Sequence, residues 1–356
     1  MKKILAFVLA MIMVLSLTAA FADEFHFEIV SKGFQSTYWQ AVLKGANEEV
    51  EKINGEGADT ITINFVGPDS ESDVAQQVQQ FTSALNANPA AIGFAAVDQN
   101  AFNDLLAEAV EKQIPIIGFD SGVPGAPEGA VYANASTNNY VAGTVAADGM
   151  WEKIVDRIDA AEGAVRIGEV NQDATGESVT QRGLGFIDKI GELAAAEGYG
   201  VKLEGNEKYV NDAKVEQADD AKIIIETLVP SQVTAELSAI DCQNLLNKSD
   251  IIALYGSNQH SAEAMVTANE NLQKLGTGEG QVIGAGFDSG AVIKDAVRNG
   301  VFLGAITQAP FAMGEALVDT MVKAANGETV EDIDTGCQWY TAENMDNEDI
   351  AINLYD

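Results

Sequence analysis

The pentapeptide Gly-Phe-Asp-Ser-Gly occurs twice, in IPIIGFDSG (114–122) and in QVIGAGFDSG (281–290). Each copy follows an apolar run and presents one carboxylate, Asp120 or Asp288. An ionised carboxylate is a pure acceptor and makes stronger hydrogen bonds than a neutral oxygen. Two of them facing one cleft would grip the hydroxyls of a ligand. Each has an ordinary alternative when taken singly: Asp288 can cap the helix that begins near Ala291, and Asp120 can order its own turn. The duplication favours the cleft.

Other polar residues sit at comparable places. Arg182, in TQRGLGF, shares one helical stripe with Val179, Phe186, Ile190 and Leu193. A guanidinium on an apolar face needs an anionic or hydroxyl partner. That partner is either a structural carboxylate or ligand oxygens at the mouth of a cleft, and the second is favoured. Tyr38 and Trp39 open the first helix. Trp39 lies on the apolar stripe and so belongs to the core, but at a first turn its ring can also reach a cleft, where an aromatic body suits a sugar ring. Asn258 (YGSN) and Gln308 (AITQAP) each follow an apolar strand. Both can donate and accept, as a hydroxylated ligand requires, or can satisfy loop backbone.

Catalytic readings find little support. FDSG is reminiscent of a serine-protease nucleophile stretch, but the chain has only two His, and His26 lies beside the expected mature N-terminus. His260 alone would have to serve as base. The first strand runs into SKGFQSTYW, which is neither a dinucleotide fingerprint nor a phosphate loop. His/Cys spacing of a metal site is missing, and acidic stretches such as EDIDTG and ENMDNED lack the spacing of a calcium loop. No cofactor or metal is expected.

These residues need a scaffold, and the pattern supplies one. Strands are expected at 25–31, 60–68, 90–98 and 114–120, with helices at 37–55, 70–87 and 100–112 between them. The alternation restarts with a helix near 138–156, a strand at 164–170, a helix at 178–197 and a strand from Val201. A helix is expected over 212–229, then an extra helical segment at 231–247. Next come a strand at 251–257, a helix at 261–275, a strand at 281–288, a short helix, a strand at 301–307, a helix at 310–325 and a last strand near 333–341. Continuous apolar strands alternating with helices mean parallel sheets covered on both faces. Roughly ten strands in two series give an α/β fold of two doubly wound lobes. Ligands of such sheets bind beyond the strand carboxyl ends, where both acidic turns lie.

The chain has 356 residues, with 20 Lys+Arg against 54 Asp+Glu. That balance repels phosphate backbones and argues against nucleic-acid binding. Lys2 and Lys3, an apolar run from Ile4 to Leu17 and Ala20-Phe21-Ala22 form a secretory leader over residues 1–22, cleaved after Ala22. No Cys near that site would take a lipid anchor. The mature chain is therefore expected to be soluble and extracytoplasmic, either periplasmic or cell-surface. Cys242 and Cys337 permit one disulfide or two free thiols.

Taken in order, these segments resemble the extracytoplasmic sugar-binding proteins of ABC importers, ribose/galactose type. SKGFQSTYWQAVLKGA is similar to the family's first strand-to-helix segment, IPIIGFDSG to the segment ending in a ligand-binding Asp, and TQRGLGF to the stretch with a ligand-binding Arg. YGSNQHSAEAM, GAGFDSG and AITQAP resemble the segments that supply an Asn, an Asp and a Gln. The resemblance covers essentially the whole mature chain. It implies a sugar site of Ser31, Lys32, Tyr38, Trp39, Asp120, Arg182, Asn258, Asp288 and Gln308. It implies the type I periplasmic binding protein fold, with two lobes joined by a three-segment hinge. The lobes are 23–137 plus 309–336 and 138–308 plus 337–356, with crossings near Ser136–Asn138, Gln308–Ala309 and Gly336–Cys337. Two departures stand out. Ribose binders carry an Arg directly after the first Asp where this chain has Ser121, which points away from ribose. The segment from about Leu228 to Asp250 is longer than in the family.

The resulting reading is a monomeric receptor that captures a small neutral sugar by hinge closure and delivers it to ABC permease subunits, without catalysis. The alternatives are an extracytoplasmic sensor for a sugar-like autoinducer and a carbohydrate enzyme of similar fold. The leader and the missing DNA-binding segment exclude an intracellular repressor.

Overall fold

The computed structural model describes residues 23–57 and 59–356. The expected leader and its cleavage after Ala22 lie outside the described residues. The chain begins with β1 (Asp23–Val30), α1 (Thr37–Glu56), β2 (Asp59–Val66), α2 (Val74–Asn86), β3 (Ala91–Phe94), α3 (Asn103–Lys112), β4 (Ile116–Phe119) and β5 (Val131–Ser136). It continues with α4 (Asn139–Ala160), β6 (Val165–Val170), α5 (Glu177–Glu197), β7 (Val201–Gly205), α6 (Glu207–Asp212), β8 (Ile223–Leu228) and α7 (Ala235–Leu246). Then come β9 (Ile251–Gly256), α8 (Gln259–Leu272), β10 (Ile283–Phe287), α9 (Ala291–Arg298) and β11 (Phe302–Gln308). The last elements are α10 (Pro310–Ala325), β12 (Ile333–Asp334), β13 (Cys337–Tyr340) and α11 (Glu348–Ala351).

The strands form two sheets, ordered β12-β5-β4-β3-β1-β2 and β13-β11-β10-β9-β6-β8-β7. All pairings between these strands are parallel except β11 with β13. Each sheet is covered on both faces, as the continuous apolar strands require. The first sheet packs Phe27, Ile29, Phe119 and Leu317 on one side and Phe81, Phe94, Phe102 and Leu106 on the other. The second packs Ile167, Phe186, Tyr255 and Phe287 on one side and Leu245, Leu254, Met265 and Phe302 on the other. The chain passes between the two layers three times, at β5–α4, β11–α10 and β12–β13.

Two departures from the sequence reading are corrections. The helix expected over 212–229 does not form: α6 ends at Asp212, and Ile223–Leu228 is β8, paired with β6 and β7. The β-branched run Ile223-Ile224-Ile225 packs on a pleated surface better than in a helical turn. Residues 131–136, left without an element, form β5 beside β4. The count is thirteen strands among the described residues rather than ten. Cys242 and Cys337 are both free, so the disulfide left open by the sequence is not formed.

Two helix pairs set the position of the site. In each, both helices bring a glycine to the crossing, so the backbones touch. A Cβ on Gly45 of α1 would lie 2.0 Å from the Phe311 carbonyl oxygen, and one on Gly314 of α10 2.1 Å from that of Val42. A Cβ on Gly143 of α4 would lie 2.1 Å from the Arg182 carbonyl oxygen, and one on Gly185 of α5 2.1 Å from that of Tyr140. The first pair carries Tyr38 and Trp39. The second carries Arg182.

Candidate functional site

Both acidic turns place their Asp in the left-handed backbone region, Asp120 at φ 54° and Asp288 at φ 71°. Asp is among the few L-residues that tolerate this conformation, and in the second turn Gly290 joins it at φ 91°. The second turn is also clamped by the C-terminal tail. Gly290 N donates to the Tyr355 carbonyl at 3.0 Å, and Tyr355 N donates to Ser289 Oγ at 2.9 Å. Tyr340 of β13 donates to the Asp288 carbonyl at 2.9 Å. Asp288 does not cap α9, whose N-cap is Gly290 without a side-chain bond. Its Oδ2 instead accepts from Gln259 N at the start of α8, at 3.0 Å.

Between the layers lies a cavity of ≈ 230 Å³, bounded by Lys32, Tyr38, Trp39, Asp120, Arg182, Asn258, Asp288 and Gln308. Eight of the nine residues singled out in the sequence thus meet at one place. Tyr38 Oη donates to Asp120 Oδ1 at 2.7 Å, and Lys32 Nζ stands 3.3 Å from Asp120 Oδ2. Gln308 Nε2 donates to Asp288 Oδ1 at 2.7 Å, and Arg182 Nη1 is 3.9 Å from Asp288 Oδ2. The Arg182 guanidinium lies 4.0 Å from the centre of the Phe287 ring, a cation–π contact. Asn258 caps α8 through its Oδ1, accepting from Ser261 N at 3.0 Å, and its Nδ2 donates to Gln172 Oε1 at 2.7 Å. Trp39 is buried in the core of the first lobe, and its Nε1 donates to Glu71 Oε1 at 2.7 Å.

Ser31 lies apart from the cavity wall. Its Oγ donates to the Gly33 carbonyl at 2.6 Å and orders the turn after β1. Several cavity neighbours were not singled out in the sequence. Asn139, in the first turn of α4, donates through Nδ2 to the Asp120 carbonyl at 3.2 Å and accepts from Arg182 Nε at 2.8 Å. Gln172, Gln259 and His260 line the cavity beside Asn258. Gln172 follows the carboxyl end of β6, and the strand-end argument that selected Asn258 would have selected it too.

Three buried atoms of this lining have no hydrogen-bond partner: Asp120 Oδ2, Gln308 Oε1 and Arg182 Nη2. Lys32 Nζ is near Asp120 Oδ2 but does not meet hydrogen-bond geometry there. Buried polar groups are nearly always paired. Two waiting acceptors and one waiting donor call for a guest that both donates and accepts, as hydroxyls do. Burial works against the Lys32 ammonium, yet Asp120 leads the carboxylates that outweigh it and hold its pKa above the usual value. Burial likewise opposes the Arg182 charge, and Asp288 and Asp120 more than restore it. Burial pushes the Asp288 carboxyl upward, against the pull of Arg182, Gln308 and Gln259. The two cations face the two turn carboxylates, and Glu71 and Glu263 add negative charge to the same lining, which disfavours an anionic guest.

The lobes touch around this cavity. Lys32 Nζ donates to Ser178 Oγ at 3.1 Å, Ser178 N to Ser121 Oγ at 3.3 Å and Gln99 N to the Thr175 carbonyl at 3.3 Å. The Tyr38 and Tyr355 rings meet edge-on at 5.9 Å. The serines of the two FDSG stretches are occupied in these contacts and in the tail clamp. His260 Nε2 instead meets Ser238 Oγ at 2.9 Å, and Ser238 is fully buried on α7. No nucleophile–base pair opens onto the cavity among the described residues, nor is any group of three or more His, Cys, Asp or Glu placed to hold a metal. No helix among the described residues is long and apolar enough to cross a membrane.

Comparison with known proteins agrees with this geometry. The model of the periplasmic binding protein domain matches residues 27–329. This chain belongs to that family. No match is found among curated proteins. Solved structures of similar fold include an ABC transporter, LacI family transcriptional regulator from Brachyspira murdochii, at 33% identity and TM-score 0.77, over 94% of this chain and 99% of that one. An ABC transporter solute binding protein from Agrobacterium vitis, with bound D-fucose, aligns at 26% identity and TM-score 0.76, over 93% and 100%. A carbohydrate transporter solute binding protein from Agrobacterium radiobacter, in complex with D-arabinose, shares the fold at 24% identity and TM-score 0.73, over 93% and 99%. The two lobes and their triple crossing are the type I arrangement of periplasmic binding proteins.

Proposed function

We propose that this periplasmic binding protein is the solute receptor of an ABC importer, taking a small neutral sugar into the interlobe cavity and delivering it to membrane permease subunits. The observation that carries the reading is the set of unpartnered buried atoms on Asp120, Arg182 and Gln308 in one cavity. The sugar bound to the Agrobacterium vitis protein supports the ligand class. The cavity is smaller than the ~300–1,000 Å³ of drug-sized ligand sites, which suits a single sugar ring.

In this reading Asp120 and Asp288 accept from sugar hydroxyls on opposite sides, and Arg182 and Lys32 donate. Asn258 and Gln308 complete the polar ring, and Tyr38 and Trp39 pack on the sugar faces. Ser31 acts from beneath, by holding the turn that carries Lys32. The closing bodies are 23–137 with 309–336, and 138–308 with 337–356. The protein works extracytoplasmically as a monomer, after loss of residues 1–22, and breaks no bond.

Mass spectrometry of solute released from the purified protein by mild denaturation tests the reading. A stoichiometric neutral pentose or hexose unit is expected. A stoichiometric amino acid, nucleobase or organic anion would overturn it.

A further inference from the structure

A second chamber of ≈ 610 Å³ adjoins the inner cavity, and Ser70, Glu71, Gln172 and Val233 border both. The strand order explains the arrangement. The inner cavity is walled mainly by loops after β1, β4, β9, β10 and β11. The outer chamber is walled by loops after β2, β3, β6 and β8. In the first sheet β2 is the edge strand farthest from β12, and in the second β8 lies toward the edge farthest from β13. The chain crossings all lie at the β5, β12, β11 and β13 side. The outer chamber is therefore at the end of the cleft remote from the hinge, where the lobes part most and a ligand can extend.

Its wall has a definite chemistry. Ser72, Thr175, Ser231, Gln232 and Thr234 supply hydroxyls and an amide, while Val74, Val97, Ala174 and Pro230 supply apolar surface. Its charged residues are Glu71 and Asp173, and no Lys, Arg or His lines it. Glu71 stands at the throat. One of its oxygens is taken by Trp39 Nε1, and the other has no protein donor among the described residues. Gln172 is fixed rather than free: its Oε1 accepts from Asn258 and its Nε2 donates to Asp173 Oδ2 at 3.4 Å. A phosphorylated or acidic substituent would meet only carboxylates here. A neutral polyhydroxylated one would meet acceptors, donors and apolar patches together, as a sugar ring requires.

We propose that the outer chamber is a second subsite and that the ligand is a two-ring saccharide. One ring is enclosed by Asp120, Arg182 and Asp288. The second ring lies against the 229–234 loop, with Glu71 accepting a hydroxyl near the linkage. The proposal rests on the sugar reading of the inner cavity and adds the ligand's length.

The test is calorimetric titration of the full mature chain with D-glucose, D-galactose, D-fucose and D-arabinose, and with lactose, melibiose, maltose and cellobiose. It is repeated for Ser231→Trp and Ser72→Trp, exposed positions on opposing lobes that fill the outer chamber. One disaccharide should bind at least about tenfold more tightly than either of its rings, a difference of ~1.4 kcal/mol. The tryptophan variants should lose that gain while monosaccharide affinity and melting temperature hold. Monosaccharide binding without disaccharide binding overturns the second subsite and leaves the sugar reading standing. So does an equal effect, or no effect, of the tryptophans on both ligand lengths. Binding of neither class overturns both readings.

Discussion

Asn139 holds Arg182 by its Nε, which donates to Asn139 Oδ1 at 2.8 Å, while Arg182 Nη1 lies 3.9 Å from Asp288 Oδ2. The same Asn donates its Nδ2 to the Asp120 carbonyl at 3.2 Å. One amide therefore ties the first acidic turn to the cation that faces the second. Its place, just after the first chain crossing, makes it a positioning residue for closure.

Asn139→Ala should weaken sugar affinity by about tenfold, the loss of one hydrogen bond to a charged group. Most of the loss should appear as faster release, since the ordered guanidinium helps hold the closed lobes. Stopped-flow release and equilibrium titration check this. Unchanged affinity and release would mean that Arg182 is held without Asn139.

Arg182→Ala should do more than abolish binding. Arg182 is buried at 3% exposure, and its removal leaves Asp288 without its cation. Breaking a buried pair from one side costs about 3–5 kcal/mol. Asp288→Asn keeps the shape but only one of the two acceptor bonds, to Gln308 or to Gln259 N, and leaves the Arg182 guanidinium without its anion, so it too should cost stability. It should weaken sugar binding by roughly 10–100-fold, the loss of a charge-assisted hydrogen bond. Denaturant midpoints and titrations on the same preparations separate the two effects.

Much of this cavity could be read in the chain because it obeys one rule, that polar residues at strand carboxyl ends face the space between the lobes. Asp120, Asp288, Asn258 and Gln308 all follow buried strands, and the repeated pentapeptide marks two of them. Asn139 could not be found that way. It sits in a first helical turn beside Asn138, and nothing local distinguishes the cap from the residue that reaches across the lobes. The lost strand β8 has a similar cause. Ile223, Ile224 and Ile225 satisfy a helical stripe and a buried strand alike over so short a run. Pairing with β6 and β7, which decides the case, is a non-local fact. The two lobes were legible because their alternation of apolar strand and helix extends over many elements.

Gly143→Ala should disturb the site from a distance. Its Cβ would fall 2.1 Å from the Arg182 carbonyl oxygen, so α4 and α5 must separate. Overpacking of this kind costs about 1–3 kcal/mol. Affinity should fall as well, because the displaced backbone carries the guanidinium. Gly163→Ala, in open space, is the control and should change neither quantity.

Glu169 of β6 gives a pH dependence independent of the ligand. It is fully buried, and burial pushes its carboxyl up to about 7, against hydrogen bonds from Thr227 and Asn171. The folded chain therefore holds a proton that the unfolded chain releases at its ordinary value near 4.5. Between those values the native state binds more protons, so this group's contribution to stability falls as pH rises and levels off above about 7. The loss is at most about 3 kcal/mol. Glu169→Gln should remove this slope, and stability curves of the two proteins should converge at low pH. Parallel curves from pH 4 to 8 would show that Glu169 stays ionised.

The two acidic turns should close on one uncharged sugar. Calorimetric titration with D-fucose, D-arabinose and D-galactose beside D-galacturonate tests it most directly. A neutral sugar should bind one per chain and, at a hundredfold its dissociation constant, stabilise the fold by about 2.7 kcal/mol. The uronate should fail to bind, and Asp288→Asn should weaken the neutral ligand by roughly 10–100-fold. Preferential binding of the uronate, or neutral-sugar binding indifferent to Asp288, would contradict it.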